Sequence, residues 1–339
     1  MKTEILKGIV LTLLLSAFTL SSCNNSSSSS LEEKSSSSQV IDNTEGSLNH
    51  DPIYIYNEDN VPYDEDDDCR DFVFLTPYLA KYPTGGAVIV FPGGGYNHLS
   101  NSTSNIPGYG QGVDNLGDQK EASSIASWYN EQGISVFICN YRTTCVDSNV
   151  DYHHLLSDAT RAIKYVRANA STYYVDPSKI GVQGSSAGGH LASMVLTRYD
   201  FEIDDATYVK DSIDEMDAKP NAAVLCYAVI SFDDDITHKN TRKVFTKDDQ
   251  SLYEYYSADK AVTSETSPTF LWCHQNDRVV NSSNTYQMAM ALENADVDCE
   301  YYVYDDNGNT EHGVGVAQEF TEAKEWPSLA TNFLKKLNF

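Results

Sequence analysis

Short apolar runs recur along the chain from about residue 85, and they constrain the fold more than any other feature. Each run has the length of a strand, and most are apolar on successive residues instead of on alternate ones. Strands of this composition are buried on both faces, which is typical of a parallel sheet. The predicted strands span residues 86–92, 134–142, 179–184, 222–231, 269–275 and 299–305.

Amphipathic stretches lie between these runs and predict helices. In residues 153–170 the apolar positions recur at helical spacing, and charged residues such as Asp158 and Arg161 are expected on the solvent side of a surface helix. Residues 281–295 predict another helix, and Pro327 suits the first turn of the last one. Strands and helices in alternation predict a doubly wound, mostly parallel α/β sheet with helices on both faces.

The N-terminal region differs in composition from the rest of the chain. In residues 1–22, lysines precede an apolar run that is short for a membrane span, as in a signal peptide. The run ends at a lipobox-like Cys23, which predicts lipidation of that cysteine, with ordinary secretory cleavage as the alternative. Residues 23–50 are polar and serine-rich, which predicts a flexible tether. We therefore expect an exported, membrane-anchored protein of the bacterial cell envelope whose single domain spans 51–339.

Charge and cysteine content narrow the functional classes. The 339 residues include 49 acidic and 23 basic ones, for a net charge of −26, and this argues against nucleic acid as a partner. None of the seven cysteines has a spacing typical of a metal site. Cys139, Cys226 and Cys273 lie in apolar runs, so buried free thiols and disulfides are both compatible with the sequence.

The segment GVQGSSAGGHLAS (181–193) contains the G-x-S-x-G pattern of a nucleophile elbow, in the strand-to-helix context that the pattern requires. Such a serine sits in a strained turn, so the residues two positions before and after it must lack a Cβ. Only Ser186 has glycine at both places, Gly184 and Gly188, whereas Ser185 does not. The spacing therefore predicts Ser186 as the nucleophile and Ser185 as a packed neighbour.

A run of three glycines follows the first predicted strand of the parallel series, in the segment PGGGYNH (92–98). Glycines at this place let backbone N–H groups approach a ligand closely, as an oxyanion hole requires, so Gly94 and Gly95 are the predicted donors. A plain turn is the alternative interpretation.

The order of residues along the chain selects the remaining catalytic candidates. A hydrolase of this kind places its acid after the serine and its histidine after the acid, and His312 is the only histidine that follows Asp277. Asp277 directly follows a predicted strand, at the sheet edge where α/β enzymes place their chemistry. Asp233, Asp234 and Asp235 follow an earlier strand and are rival acids.

Other polar residues near these segments are expected to play lesser roles. His190 lies on the helix that follows the elbow and is expected to be packed or hydrogen bonded instead of catalytic. Tyr96, beside the glycine run, and His238 are the predicted substrate contacts.

These segments together resemble the α/β-hydrolase superfamily, and within it the acetyl xylan esterase-like carbohydrate esterases of bacteria. The resemblance covers about residues 70–339 and rests on motifs such as VIVFPGGGY, DPSKIGVQGSSAGGHLAS and EHGVG. It implies a serine esterase with Ser186, His312 and Asp277 as its triad, Ala187 as a further oxyanion donor, and no metal or organic cofactor. Two departures are Pro92, where many relatives have histidine, and an apparent insertion at 101–119.

The resulting functional prediction is removal of acyl groups, first of all acetyl, from a plant polysaccharide such as xylan. Predicted export and an acidic composition are compatible with an enzyme that acts on extracellular polysaccharide. The 23 tyrosines are also compatible with a sugar substrate, because aromatic faces pack against pyranose rings. Two alternatives stay open at this point. One is a serine peptidase of the prolyl oligopeptidase type, and the other is a non-catalytic glycan-binding lipoprotein on a hydrolase scaffold.

Overall fold

A computed structural model describes residues 50–57, 59–64, 73–100, 123–144 and 147–339 of the chain. The described residues form an eight-stranded sheet with the strand order β1-β2-β4-β3-β5-β6-β7-β8. The strands are β1 Ile53–Tyr54, β2 Phe74–Tyr78, β3 Ala87–Phe91, β4 Ser135–Asn140, β5 Ile180–Ser185, β6 Ala223–Cys226, β7 Thr269–His274 and β8 Cys299–Tyr304.

The strands from β3 to β8 pair in parallel, as the apolar runs predict. Every residue of β3 is buried, because side chains on both faces of the sheet are covered. The antiparallel strands β1 and β2 at one edge were not among the predicted strands. The prediction of a mostly parallel α/β sheet is confirmed.

Helices cover both faces of this sheet. The bounds are α1 Ser123–Glu131, α2 Tyr152–Ala168, α3 Ser186–Thr197, α4 Lys239–Thr246, α5 Ser283–Asn294 and α6 Trp326–Lys336. Buried residues of α2, α3, α4 and α5 share one apolar core with the sheet, and those of α1 and α6 share a second core on the opposite face. Alternate residues of a strand serve the two cores, as Ile89 and Val90 of β3 do.

The charged side of α2 differs from its prediction. Asp158 is fully buried and forms an ion pair with the equally buried Arg142, with 2.7 Å between Asp158 Oδ1 and Arg142 Nη2. Arg161 is also buried and pairs with Asp211. The expectation that Asp158 and Arg161 face solvent is therefore wrong, because the segments before β2 and after α3 cover this side of the helix.

The four cysteines in the described ranges, which include Cys299, are all free thiols, and Cys139, Cys226 and Cys273 are buried. In the part of the chain that the structure describes, no helix is both long and apolar enough to cross a membrane. The predicted signal peptide, the lipidation site Cys23 and the insertion at 101–119 lie outside the described residues, as does the predicted tether apart from its last residue.

Candidate active site

Ser186 is the first residue of α3 and directly follows the last residue of β5. Its φ angle of +56° lies in the left-handed region, which a serine adopts only at a strained turn. Ser185 has an extended backbone, is buried and makes no capping hydrogen bond. The structure therefore gives Ser186 the backbone of a nucleophile elbow and makes Ser185 a packed strand residue.

The two glycines of the motif are required by close backbone contacts. A Cβ on Gly184 would lie 2.1 Å from the carbonyl oxygen of Gly188. A Cβ on Gly188 would lie 2.1 Å from the carbonyl oxygen of Phe91 and 2.3 Å from that of Pro92. Gly188 thus allows the start of α3 to pack directly against the loop that follows β3, which contains the run of glycines.

Asp277 and His312, the predicted acid and base, form a hydrogen-bonded pair. The distance from His312 Nδ1 to Asp277 Oδ2 is 2.6 Å, and the Asp277 side chain is 1% exposed. Asp277 Oδ1 accepts hydrogen bonds from the backbone N–H groups of Val279 and Val280. The carboxylate is thereby fixed in direction, and it holds the proton of the imidazole on Nδ1.

The other nitrogen of His312 is left as an acceptor. His312 Nε2 is buried and makes no hydrogen bond to any described residue. The ring of Tyr227 packs edge-on against the imidazole, with 4.8 Å between the ring centroids. Tyr227 directly follows Cys226, which is paired in the sheet with Ser185, so the base and the elbow lie at the same edge of neighbouring strands. No hydrogen bond joins Ser186 Oγ to His312 in this structure, and such bonds often tighten only when substrate is bound.

The glycine run forms a tight loop beside the elbow. Gly94 and Gly95 both have positive φ angles, +122° and +64°, and a Cβ on Gly94 would lie 2.1 Å from the carbonyl oxygen of His98. Asn240 Nδ2 donates to the carbonyl oxygen of Gly95, which fixes the direction of that peptide group. Ala187 lies in the first turn of α3, where backbone N–H groups have no partner within the helix. The segment that follows β3 and the start of α3 therefore lie next to each other.

His238 lies beside this loop and close to the acid and base pair. Its Cε1 would be 3.7 Å from a Cβ on Gly95, and its Nδ1 is 2.7 Å from Thr241 Oγ1 at the start of α4. Burial, followed by the nearby His312, lowers the pKa of His238, while Asp277 acts in the opposite direction. The position agrees with the expectation that His238 reaches the rim of the site.

Tyr96 is buried in the protein instead of being exposed to a substrate. Its side chain is fully buried, and its hydroxyl is 2.9 Å from His190 Nδ1. His190 Nε2 in turn donates to the carbonyl oxygen of Tyr256. Tyr96 is thus a support beneath the glycine loop, and its prediction as a substrate-contacting side chain is wrong because the aromatic core covers it. His190 is packed and hydrogen bonded, as expected.

The rival acids lie in ion pairs at the surface. Lys260 Nζ is 2.8 Å from Asp233 Oδ1, and Arg242 Nη1 is 2.6 Å from Asp234 Oδ1. Asp235 is exposed. His312 takes its carboxylate from Asp277 alone among the described residues.

Sequence reasoning missed the support of the His312 loop. His274, the last residue of β7, and Asp306, just after β8, form a buried pair with 3.2 Å between Nε2 and Oδ2. The His274 ring also contacts the carbonyl oxygen of Glu311, the residue before His312. Burial alone would raise the pKa of Asp306, but backbone N–H donors at Glu322 and Ala323 lower it overall. His274 ends β7 and Asp306 lies two residues after the end of β8, and these positions at the carboxyl ends of strands were the only signal for them in the sequence.

Strand β6 is shorter than predicted, because it ends at Cys226 and the residues after it form a loop. Tyr227 has a φ angle of +36°, which ends the strand at Cys226 and turns the chain over the elbow. The fully buried Asn284 of α5 holds this loop through both atoms of its amide group. Its Oδ1 accepts from the N–H groups of Ile230 and Ser231, and its Nδ2 donates to the carbonyls of Ile236 and Asn281.

No group of three or more His, Cys, Asp or Glu side chains in the described ranges is arranged to hold a metal ion.

Comparison with known proteins identifies the relatives of this arrangement. The BD-FAE family model matches residues 87–292. An acetylxylan esterase of Xylanibacter ruminicola is 29% identical over 266 residues, which are 77% of this chain and 47% of that protein. The chain therefore spans about half the length of this curated relative.

Similar solved structures are also ester hydrolases. The acetyl ester-xyloside bifunctional hydrolase of Caldicellulosiruptor lactoaceticus is 31% identical, with a TM-score of 0.70 over 86% of this chain and 97% of that one. A thermophilic esterase of Thermogutta terrifontis, with 20% identity and a TM-score of 0.61 over 84% of this chain and 95% of that one, shows the shared fold. The fold is that of the α/β-hydrolases. With its elbow and both candidate partners on this fold, the chain belongs to the BD-FAE family.

Proposed function

We propose that this chain is a serine carboxylesterase that removes acetyl groups from xylan or a closely related plant polysaccharide. The observation that carries the proposal is the His312 imidazole, which is held by Asp277 on one nitrogen and has its other nitrogen unpartnered among the described residues. That arrangement suits a base that takes a proton from Ser186. Neither a metal nor an organic cofactor is needed for this chemistry.

The proposed reaction proceeds in two acyl transfers. Ser186 Oγ attacks the ester carbonyl as its proton moves to His312 Nε2, and the C–O bond to the sugar then breaks as His312 returns that proton to the leaving alkoxide. Water then attacks the acyl-enzyme as His312 Nε2 takes its proton, the bond between the acyl carbon and Ser186 Oγ breaks to release the acetic acid product, and the proton returns from His312 to Ser186 Oγ. Asp277 stabilises the imidazolium that forms in both halves of the reaction.

The oxyanion of each tetrahedral intermediate needs main-chain donors beside Ser186. We assign this role to the N–H groups of Gly94, Gly95 and Ala187, because Gly188 lets the loop that follows β3 approach the start of α3. One such donor lowers the barrier by about 3 kcal/mol. Asn240, which donates to the Gly95 carbonyl, fixes the Gly95–Tyr96 peptide group that directly follows the two glycine donors.

The substrate assignment draws on the relatives. The curated relative is named an acetylxylan esterase, and the similar solved structure is described as an acetyl ester-xyloside bifunctional hydrolase. Both names join an acetyl ester to a xylose-based sugar, so acetylated xylan is the proposed substrate class.

The decisive experiment measures acetate released from acetylated xylan by the full chain. We expect release by the wild type and by Ser185→Ala, a matched control that removes a neighbouring buried hydroxyl, and none by Ser186→Ala. A fluorophosphonate probe should label the wild type at Ser186 only. Acetate release by Ser186→Ala would exclude the proposed mechanism, and labelling without release from xylan would redirect the search to other esters or to amides.

We further propose, from the sequence alone, that the protein is exported and anchored to a bacterial membrane through acylated Cys23, with residues 23–50 as a tether. Labelling of cells with a radioactive fatty acid should mark the wild type and not Cys23→Ala. Labelling of both would contradict the anchor.

A further inference from the structure

A second concavity lies away from the proposed catalytic residues and has an aromatic lining. It encloses about 320 Å³ and is bordered by the start of α2, the end of α3 and the segment that follows α4. Its lining includes none of the triad or oxyanion residues. The aromatic side chains that line it are Tyr63, Tyr152, Phe201, Tyr255 and Tyr256.

Tyr152 and Tyr255 both keep part of their side chains accessible at this pocket. Tyr255 is 52% exposed. Tyr152 is half-buried and packs against Tyr256, with 4.8 Å between the ring centroids. The neighbouring His153 ring stacks on Tyr152, with 3.8 Å between the ring centroids. The part of a tyrosine ring that stays accessible while neighbours hold the ring can pack against the C–H face of a pyranose without first becoming ordered.

The polar groups of the pocket include both donors and acceptors. The Arg198 guanidinium lies 3.8 Å from the centre of the Tyr255 ring, and its Nη2 donates to the Tyr255 carbonyl. Arg198 Nε is buried and donates to no described residue. Exposed carboxylates of Asp200 and Glu202 stand on the other side of the pocket, with that of Glu202 paired with Lys210. A ligand here can therefore both accept and donate hydrogen bonds.

We propose that this pocket is a binding site for a neutral saccharide, distinct from the active site, and that its ligand is a stretch of the xylan chain. The choice of xylan rests on the proposed function. Carboxylates in the lining disfavour an anionic ligand, and the charge of the Arg198 guanidinium, 3.8 Å from the centre of the Tyr255 ring, repels an organic cation beside that ring. Hydroxyl groups on a ring with an apolar face match the remaining donors, acceptors and tyrosines.

The pocket is connected to the catalytic helix. Its wall residue Tyr256 accepts a hydrogen bond through its carbonyl from His190, which lies one helical turn after Ser186 on α3. A polysaccharide held in the pocket is thus tethered to the same rigid unit as the nucleophile. Such tethering raises the effective concentration of acetyl groups at the active site without any new contact there.

The test measures binding of deacetylated, soluble xylan by native affinity electrophoresis, and it is independent of catalysis. We expect the wild type and Ser186→Ala to be retarded equally, and the double variant Tyr152→Ala/Tyr255→Ala to bind about tenfold or more weakly. Tyr82→Ala is the matched control, because Tyr82 is 59% exposed and also has a cation, Lys81, over its ring. On p-nitrophenyl acetate the double variant should keep its kcat/KM, while on acetylated polymer its KM should rise.

The outcomes separate this inference from the proposed function. Loss of retardation in the double variant supports the site even if no acetate is released from xylan. Equal retardation of the double variant and Tyr82→Ala, or no retardation of the wild type, overturns it. Competition of xylan binding by choline would also overturn it, since the pocket would then be a cation site.

Discussion

Substitution of Gly188 by alanine provides a direct test of how the elbow and the glycine loop act together. The added Cβ would lie 2.1 Å from the Phe91 carbonyl oxygen and 2.3 Å from that of Pro92, whereas real Cβ contacts stay beyond 3.0 Å. The loop or the start of α3 must therefore move by about 0.9 Å, the difference between 3.0 and 2.1 Å. This displacement changes the distance between the Ser186 nucleophile and the main-chain donors of Gly94 and Gly95.

A shift of this size is large on the scale of catalysis. Loss of one oxyanion donor costs about 3 kcal/mol, and a misplacement of about 1 Å can cost a factor of about 100 in rate. We expect kcat of Gly188→Ala on p-nitrophenyl acetate to fall by about 100-fold or more, with a smaller change in KM. Thermal unfolding should show that the fold persists with a lowered melting temperature.

Gly308→Ala is the matched control for the loss of a glycine. Gly308 has a φ angle of +78° but nothing within 4 Å of its added Cβ, so its substitution strains the backbone without displacing a neighbour. Its cost should appear in stability, about 1 kcal/mol, and not in kcat. If Gly188→Ala, still folded, kept a kcat within about threefold of Gly308→Ala, the proposed link between Gly188 and oxyanion stabilisation would be refuted.

Three further predictions concern buried charged and titratable groups. Asp277→Asn should lower kcat by about 10,000-fold with little change in KM, because an amide no longer holds the His312 proton on Nδ1; steady-state kinetics that show a loss below about tenfold would contradict the role. Burial lowers the pKa of His190 to about 4, so His190 is protonated in the unfolded chain before it is protonated in the folded one as the pH falls. The stability that depends on neutral His190 is therefore fully present above pH 6.5 and is lost toward pH 4. The expected loss in the free energy of unfolding is about 3 kcal/mol. Urea unfolding between pH 7 and 4.5 should show that the free energy of unfolding falls more steeply with pH for the wild type than for His190→Gln. Equal pH dependence in the two proteins would contradict this role of His190. Asp158→Asn should cost about 3 to 5 kcal/mol, because the buried Arg142 charge would lose the carboxylate of Asp158, and a change below about 1 kcal/mol in urea unfolding would be inconsistent with that ion pair.

The parallel sheet and the catalytic candidates could be predicted from sequence because each depends on a local rule. The strands β3 to β7 are mostly apolar and are buried at every residue, and the elbow follows from the glycine spacing around Ser186. The antiparallel β1 and β2 lack such a signal, since β1 has two residues and β2 contains Pro77. Chain order then assigned Asp277 and His312 without knowledge of their distance.

The errors arise where tertiary contacts decide the environment of a side chain. Helical periodicity placed Asp158 and Arg161 toward solvent, but Arg142 and Asp211 come from other segments that no local pattern connects to α2. Tyr96 was assigned by its closeness in sequence to the glycine run, while its side chain turns into the aromatic core. Sequence distance from a site indicates where the backbone lies and says little about where a side chain points.

The buried amide of Asn284 has a consequence for the lifetime of the protein. Its carbonyl oxygen and its NH₂ group are both fully used, with two donors and two acceptors of the main chain arranged around them. Deamidation to aspartate would place an acceptor-only carboxylate against the carbonyls of Ile236 and Asn281, in a fully buried site. The loop between Tyr227 and His238 would then lose its anchor, so the chemical ageing of one buried side chain would end activity before the sheet unfolds.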